Sequence, residues 1–371
     1  MNFKVIGAGL AGVEAAWQIA QSGNKVTLYE QKPNKKSPAH KSDNFAELVC
    51  SNSLKASRID SAAGLLKEEM QRFGSLTVPI AKQCSVAAGG ALAVDRDLFS
   101  GAVTEKIKNC KNIEIVYAEQ DEIPLASNDI TVVATGPLTD GKMAESIKKL
   151  CGDYLSFYDA AAPIVTADSI DPKIVFGASR YGRGGENDYL NCPFNKAEYE
   201  AFIAELVAAE GAVLHDFDVY EGCMPIEKLA KRGLDAPRFG PMKPVGLVNP
   251  ATGHRPWAAV QLRRENSAGT MFNLVGFQTN LKFGEQKRVF SMIPGLENAE
   301  FVLWFRNFRF RRSHQASLQA RKHPARCHPE PHPQRLSWAQ TKVPHPELNP
   351  LLSPLFPFLL YPRCEKMLWA F

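Results

Sequence analysis

The chain opens on a short apolar run, Phe3-Lys-Val-Ile6, that stops at a glycine. An apolar segment of that length bounded by a turn residue predicts a buried strand. From Ala11 to Ala20 (AGVEAAWQIA) the apolar positions recur at helical spacing, which predicts a helix. Lys25-Val-Thr-Leu-Tyr29 predicts a second strand, ending at Glu30. Strand, helix and strand in this order form a βαβ unit and imply a parallel sheet. Further strands are predicted at Asn112–Tyr117, which alternates, and at Asp129–Gly136, an apolar run closing on Ala-Thr-Gly.

Between Ala160 and Thr270 the pattern changes. A Gly/Arg stretch (180–185), a helix from Lys196 to Ala209 and a strand-like run at Asp216–Tyr220 precede two Pro/Gly-rich loops, 238–244 and 249–256. Gln278–Pro294 predicts a turn leading into a helix with Lys282, Lys287 and Arg288 outward. The expected architecture is α/β: a Rossmann-like nucleotide-binding domain from residues 1–160 and 271–302, with an α+β domain inserted at 161–270.

The first turn carries the chemistry. Gly7-Ala8-Gly9-Leu10-Ala11-Gly12 is a GxGxxG loop between the first strand and the helix, with Glu30 about 20 residues further on. Gly7 allows the tight turn, Gly9 lets backbone approach a pyrophosphate, and Gly12 lets helix and strand pack closely. The helix N-terminus stabilises phosphate charge, and Glu30 can accept hydrogen bonds from a ribose. The predicted ligand is a dinucleotide.

Composition narrows the class. The chain of 371 residues is long enough for two domains and a large core. The first residues do not read as a secretory signal, since Gly7 and Gly9 interrupt the apolar stretch. Nowhere do 18 apolar residues run together, so no membrane span is expected. The eight cysteines are scattered with no CxxC pair, which argues against a zinc site and fits a reducing cytoplasm.

The net charge of +5 misleads. Residues 303–371 carry 11 Lys/Arg and 3 Glu, so residues 1–302 hold 33 basic and 36 acidic side chains, and the total is no nucleic-acid footprint. That last segment also lacks Gly and Asp, yet holds 10 of the 25 prolines and 5 of the 8 histidines. Prolines this dense interrupt helix and sheet alike. The expectation is an atypical, disordered tail produced by an out-of-frame or foreign junction near residue 303.

Three motifs carry a family resemblance. Gly7–Ala16, the run Phe45-Ala-Glu-Leu-Val-Cys50-Ser-Asn-Ser53, and Tyr220-Glu-Gly-Cys223-Met-Pro-Ile-Glu227 closely resemble the folate- and flavin-dependent tRNA uracil-5-methyltransferases, relatives of the GidA flavoproteins. Lys243–Leu247, Phe277–Lys282 and Gly284–Arg288 resemble them too, so the likeness covers residues 1 to about 302. The resemblance implies FAD, 5,10-methylenetetrahydrofolate as carbon donor, NAD(P)H as reductant, and methylation of the T-loop uridine at position 54 of tRNA.

It also implies roles. Cys223 is the nucleophile, since a thiolate adding to C6 of uracil puts carbanion character on C5. Cys50 lies beside the flavin ring, Cys192 is structural, and His40 and Glu47 lie near the flavin-side loop. Arg180, Arg183 and Lys282 are candidates for RNA phosphates. The sequence departs from the family after Ala299: a second Gly-rich stretch and a closing helical region are replaced by the atypical tail. That departure implies an incompletely covered flavin, weaker FAD binding and reduced activity. Three alternatives stay open: the related flavoprotein of wobble-uridine carboxymethylaminomethyl modification, an ordinary NAD(P)H-dependent flavin oxidoreductase, and a non-catalytic RNA-binding remnant.

Overall fold

The computed structural model describes residues 2–37, 39–124, 129–151, 162–182, 184–185, 188–211, 224–302 and 367–369. The N-terminal half begins with β1 (Phe3–Ile6), α1 (Leu10–Gln21) and β2 (Val26–Glu30), as the apolar spacing predicts. β1 and β2 pair in parallel, with Phe3 opposite Val26. Helix α1 covers the sheet because Val13, Ala16, Ile19 and Ala20 recur on one face and are buried.

A three-stranded antiparallel sheet follows, built from β3 (Ser53–Ala56), β4 (Ser85–Val86) and β5 (Ala91–Val94) in the order β3-β5-β4. Helices α2 (Ala62–Arg72) and α3 (Thr77–Gln83) lie between β3 and β4. Buried Glu14 on α1 accepts the N–H groups of Leu76 and Thr77, which anchors the start of α3. Helix α4 (Arg96–Lys108) then leads to β6 (Ile113–Tyr117), β7 (Ile130–Val133) and α5 (Gly141–Cys151).

The parallel sheet runs β7-β1-β2-β6. The chain winds outward from β1 through β2 to β6, then returns to the other side of β1 as β7. The strand order therefore reverses between β1 and β7, and a crevice at the carboxyl ends of such strands is where open α/β sheets bind ligands. The GxGxxG turn sits at that end of β1.

The C-terminal half is antiparallel. Strands β8 (Ile164–Thr166), β9 (Phe176–Gly177), β10 (Tyr189–Phe194), β11 (Ala258–Arg264), β12 (Met271–Leu274) and β13 (Phe301–Val302) form one sheet, ordered β13-β8-β12-β11-β10-β9. Its helices are α6 (Lys196–Ala208), α7 (Ile226–Lys231), α8 (Ala236–Phe239) and α9 (Phe283–Phe290). Helix α6 starts at a capping box in which Asn195 and Glu198 satisfy each other's backbone N–H. A chain of buried rings fills the core: Phe194 to Phe202 at 5.4 Å, Phe202 to Phe277 at 6.4 Å, and Phe277 to Phe290 at 5.9 Å between centroids.

One expectation differs. Residues 271–302, grouped from sequence with the nucleotide-binding domain, add β12 and β13 to the antiparallel sheet. Phe277, Val289, Phe290 and Ile293 share a core with Phe194 and Phe202. The reason is pairing: β12 lies between β11 and β8, so it completes the second sheet instead of returning to the first. Of the atypical segment, Met367–Trp369 forms a strand, β14, parallel to β7; the remainder lies outside the described residues. The strand expected at Asp216–Tyr220 also lies outside them.

Candidate functional site

The glycine turn has the shape its spacing predicts. Gly7 holds φ at 99°, and a Cβ there would lie 2.5 Å from the Ala134 carbonyl oxygen. Only glycine tolerates both conditions. A Cβ on Gly12 would lie 1.7 Å from the Gly7 carbonyl oxygen, so α1 meets the turn backbone to backbone. Ala134, in the Ala-Thr-Gly run after β7, supplies the small neighbour on the far side, donating its N–H to the Ile6 carbonyl at 2.8 Å.

Gly9 is different: nothing lies within 4 Å of where its Cβ would stand. It is the N-cap of α1 and no side chain caps that helix. An uncapped helix N-terminus beside open space is a cradle for a phosphate. Glu30 is buried and accepts the N–H of Ala8 at 2.9 Å and of Lys32 at 2.9 Å, one on each carboxylate oxygen. Each oxygen keeps a second lone pair for a ribose hydroxyl. Gly7, Ala8, Gly9, Leu10, Ala11, Gly12 and Glu30 thus belong to one hydrogen-bonded turn that is exposed at Gly9 and Leu10, and its donors and acceptors fit the pyrophosphate and ribose of FAD.

The Cys50 loop is bonded to this turn. Ala46, at φ 51°, donates its N–H to the Ala8 carbonyl at 2.9 Å. Phe45 donates its N–H to Thr104 Oγ1 at 2.8 Å, which fixes the loop to α4. Buried Lys32 donates to the Asn44 carbonyl and lies 3.6 Å from Glu47. Glu47 accepts the N–H groups of Lys41 and Ser42 through Oε1. His40 sits half-buried in the same loop, with Ser37 Oγ 2.6 Å from its Nδ1. Burial, then the Lys32 charge, holds the His40 pKa below its ordinary value, while Glu47 and Glu30 oppose the shift.

Beyond Cys50, an exposed thiol, the loop is gripped from the other sheet. Arg263 on β11 donates from Nε to Asn52 Oδ1 at 3.0 Å and from Nη2 to Ser51 Oγ at 3.1 Å. Asn52 donates to the Arg264 carbonyl at 2.9 Å. Arg96, at the start of α4, donates to Glu265 Oε2 at 2.8 Å and to the Leu48 carbonyl at 2.7 Å. Asp95 caps α4 and accepts both the N–H and the hydroxyl of Ser267 at 3.0 Å. Residues from both halves therefore hold the segment 48–53 in place. Sequence reading did not single out Asn52, Arg96, Arg263 or Glu265. A charged pair such as Arg96 and Glu265 carries no local spacing that would reveal it.

The remaining candidates divide. Cys192 is fully buried, and burial pushes its thiol far above the usual range, which makes it inert packing. Lys282 pairs with Glu210, and Arg288 pairs with Glu205 and Glu285, so acids neutralise two of the three cations expected on the basic face of α9. Arg180 is half-buried beside a pocket at the edge of the second sheet. Cys223 and Arg183 lie outside the described residues. Glu227, four residues after Cys223, is described: it accepts from Thr279 Oγ1 at 3.0 Å and from the Asn280 N–H at 2.8 Å. The described segment that begins at Met224 is thereby fastened to the 277–282 motif. Among the described residues no His/Cys/Asp/Glu group could hold a metal ion, and no helix is long and apolar enough to cross a membrane.

Comparison with known proteins agrees with this geometry. Residues 2–309 match the sequence profile of the family described as glucose inhibited division protein A. The chain is 60% identical over 302 residues to the methylenetetrahydrofolate–tRNA-(uracil-5-)-methyltransferase TrmFO of Acetivibrio thermocellus, covering 80% of this chain and 69% of that one. It is 59% identical over 301 residues to the TrmFO of Geotalea uraniireducens, with the same coverage. Against the TrmFO of Lactobacillus helveticus the values are 57% over 305 residues, 81% of this chain and 74% of the other. Among solved structures, GidA of Aquifex aeolicus in two crystal forms superposes with TM-scores of 0.55 and 0.57 at 15% identity. Those matches cover 81% of this chain and 54% and 56% of the GidA chains, and they speak to the fold alone.

Proposed function

The chain belongs to the glucose inhibited division protein A family, grouped with its folate-dependent tRNA methyltransferases, and on that footing we propose that it forms 5-methyluridine in the T-loop of tRNA. Methylenetetrahydrofolate is the carbon donor, FAD the reductant, and NAD(P)H the source of its electrons. The observation that carries the reading is the 2.9 Å hydrogen bond from Ala46 N–H to the Ala8 carbonyl, which ties the loop of Cys50 to the dinucleotide turn. A plain dinucleotide oxidoreductase needs the turn but has no use for an exposed thiol on a loop bonded to it. The relatives' names specify uracil-5 methylation, which speaks against the wobble-uridine alternative.

The parallel-sheet half is the flavin-binding unit. The N-terminus of α1 and the open face of Gly9 would take the pyrophosphate, and Glu30 the ribose. FAD, when bound, supplies the two electrons that reduce a transferred methylene to methyl, which is why a dinucleotide site belongs in a methyl transfer. The rest falls to the chain's own residues. C5 of uracil is a poor nucleophile until a thiolate adds to C6, and Cys223 is that thiol. Loss of the C5 proton and departure of the thiolate restore the ring. Cys50 borders the flavin side of the site, and Arg263, Asn52 and Arg96 keep its loop from moving. The setting is the cytoplasm.

The test is a methylation assay on unmodified tRNA with methylenetetrahydrofolate, NAD(P)H and added FAD, reading 5-methyluridine by mass spectrometry. Product is expected from the wild-type chain, and background from Cys223→Ala. With 5-fluorouracil-containing tRNA, the wild type forms a covalent adduct that Cys223→Ala lacks. Absence of 5-methyluridine both from the wild type and from a form given a family-type C-terminal region overturns the reading. Equal turnover by Cys223→Ala overturns the role of that thiol.

A further inference from the structure

The two outer strands β6 and β7 of the parallel sheet differ in kind. β6 carries the marks of an edge, with Glu114 and Tyr117 exposed. β7 does not. Its sequence, Ile130-Thr-Val-Val133, holds no charge, proline or glycine, and Thr131, Val132 and Val133 are buried. A run of this kind belongs in the interior of a parallel sheet. The backbone says the same. Ile130 and Ala134 donate their N–H groups to the Asn2 and Ile6 carbonyls on the β1 side, at 3.0 and 2.8 Å. Directions alternate along a strand, so Val132 faces β1 as well, while Thr131 and Val133 present N–H and C=O to the other side. A row of such groups is a template for a further strand.

That side is met by β14 in parallel register: Met367 lies opposite Thr131, Leu368 opposite Val132 and Trp369 opposite Val133. In such a ladder Leu368 is the residue whose N–H meets the Thr131 carbonyl and whose carbonyl meets the Val133 N–H. β7 in turn bears on the dinucleotide turn. Val133 shares a small core with Ile6, Met143 and Ile147. The Ala134 carbonyl oxygen and the Thr135 Cα lie 2.5 and 3.0 Å from where a Cβ on Gly7 would stand. The end of β7 is therefore the wall against which the turn closes, and an outward shift of β7 opens it.

We propose that the outer side of β7 is a strand-binding site, that the chain's own residues 367–369 fill it, and that this strand keeps β7 seated against the glycine turn so that FAD is retained. The inference goes beyond the methyltransferase reading and needs only its flavin. Such a site takes its occupant by backbone pairing, as in strand addition to a sheet edge. Beside a buried strand it suits an extended, uncharged, apolar run. Met367-Leu-Trp369 is such a run, whereas Glu365 and Lys366 just before it are charged. The end of the atypical segment is thus a working part of the flavin unit.

The experiment is residue-resolved hydrogen exchange on the full chain without FAD, paired with FAD titration followed by flavin fluorescence. The wild-type amides of Thr131 and Val133 should exchange as slowly as that of Val132, which faces β1. Leu368→Pro removes the N–H that meets β7. It should speed exchange at Thr131 and Val133 by about tenfold or more, leave Val132 slow, and weaken FAD binding by a similar factor. Leu368→Ala keeps the backbone pairing and should stay close to the wild type in both measurements. Fast exchange at Thr131 and Val133 in the wild type overturns the proposal, whatever the variants do. Protection unchanged by Leu368→Pro overturns the assigned occupant, and lost protection with FAD affinity unchanged overturns the link to the turn. Failure of the wild type to bind FAD counts against the flavin reading instead, and the exchange measurement still decides the strand site.

Discussion

Gly12 has no room for a side chain, because a Cβ there would stand 1.7 Å from the Gly7 carbonyl oxygen. Gly12→Ala must push α1 away from the turn, at a cost of roughly 3 kcal/mol or more. The expected outcome is a lower melting temperature together with loss of FAD retention; a variant that melts and binds flavin like the wild type contradicts the packing argument. His40 gives a second residue-level prediction. Its pKa is held below the ordinary 6.5 by burial and by Lys32. The unfolded chain therefore takes up the proton first as the pH falls below about 6.5, and stability declines from there down to the folded pKa. His40→Gln should flatten that part of the pH–stability curve, measured by urea unfolding between pH 8 and pH 5. Parallel curves would remove His40 from the account. The glycines and Glu30 were legible in the sequence because their partners lie within one βαβ unit. Arg263 was not: its acceptor on Asn52 is 211 residues away, and no short window contains both.

At the level of elements, legibility followed the same rule. The helices at Leu10–Gln21 and Lys196–Ala208 and the strands at Phe3–Ile6 and Ile113–Tyr117 stand where local periodicity puts them. The assignment of residues 271–302 failed because periodicity says that β12 is a strand but not which strand it joins. Its partners, β11 and β8, are chosen by pairing across the inserted segment. Helix α4 shows how such choices are enforced. Asp95 accepts the N–H groups of Asp97 and Leu98 through one oxygen and both donors of Ser267 through the other. One carboxylate thus caps a helix of the first half and holds the β11–β12 turn of the second. Asp95→Ala should cost about 2 kcal/mol, above an ordinary cap because Ser267 also loses its acceptor. Asp95→Asn should recover part of it. Denaturant unfolding of the two variants checks the order, and equal losses in both would mean that the charge, not the geometry, is what matters.

For the molecule as a whole, the question is whether two sheets with separate cores behave as one cooperative body. The Phe194–Phe290 cluster and the Val5–Leu28 cluster do not merge. What joins them near Cys50 is polar: Arg96 with Glu265, Asn52 with Arg263 and Arg264, and Asp95 with Ser267. The Arg96 and Glu265 side chains are only 9% and 3% exposed, so losing one partner leaves a buried charge unpaired, at about 3–5 kcal/mol. That cost falls on the contact between halves and on neither core. The sheets should therefore open together in the wild type and separately once the contact is cut. Hydrogen exchange can read this directly, by comparing amides of the β1–β2 pair with those of the β10–β11 pair. In the wild type the most protected amides of both pairs should share one opening free energy. In an Asn52→Ala/Arg96→Leu double variant the two values should part by more than about 1 kcal/mol, and the Cys50 loop should exchange with the less stable half. If both pairs stay equally protected in the variant, the coupling between the halves runs through contacts other than these, and the loop that carries Cys50 owes its position to the first sheet alone.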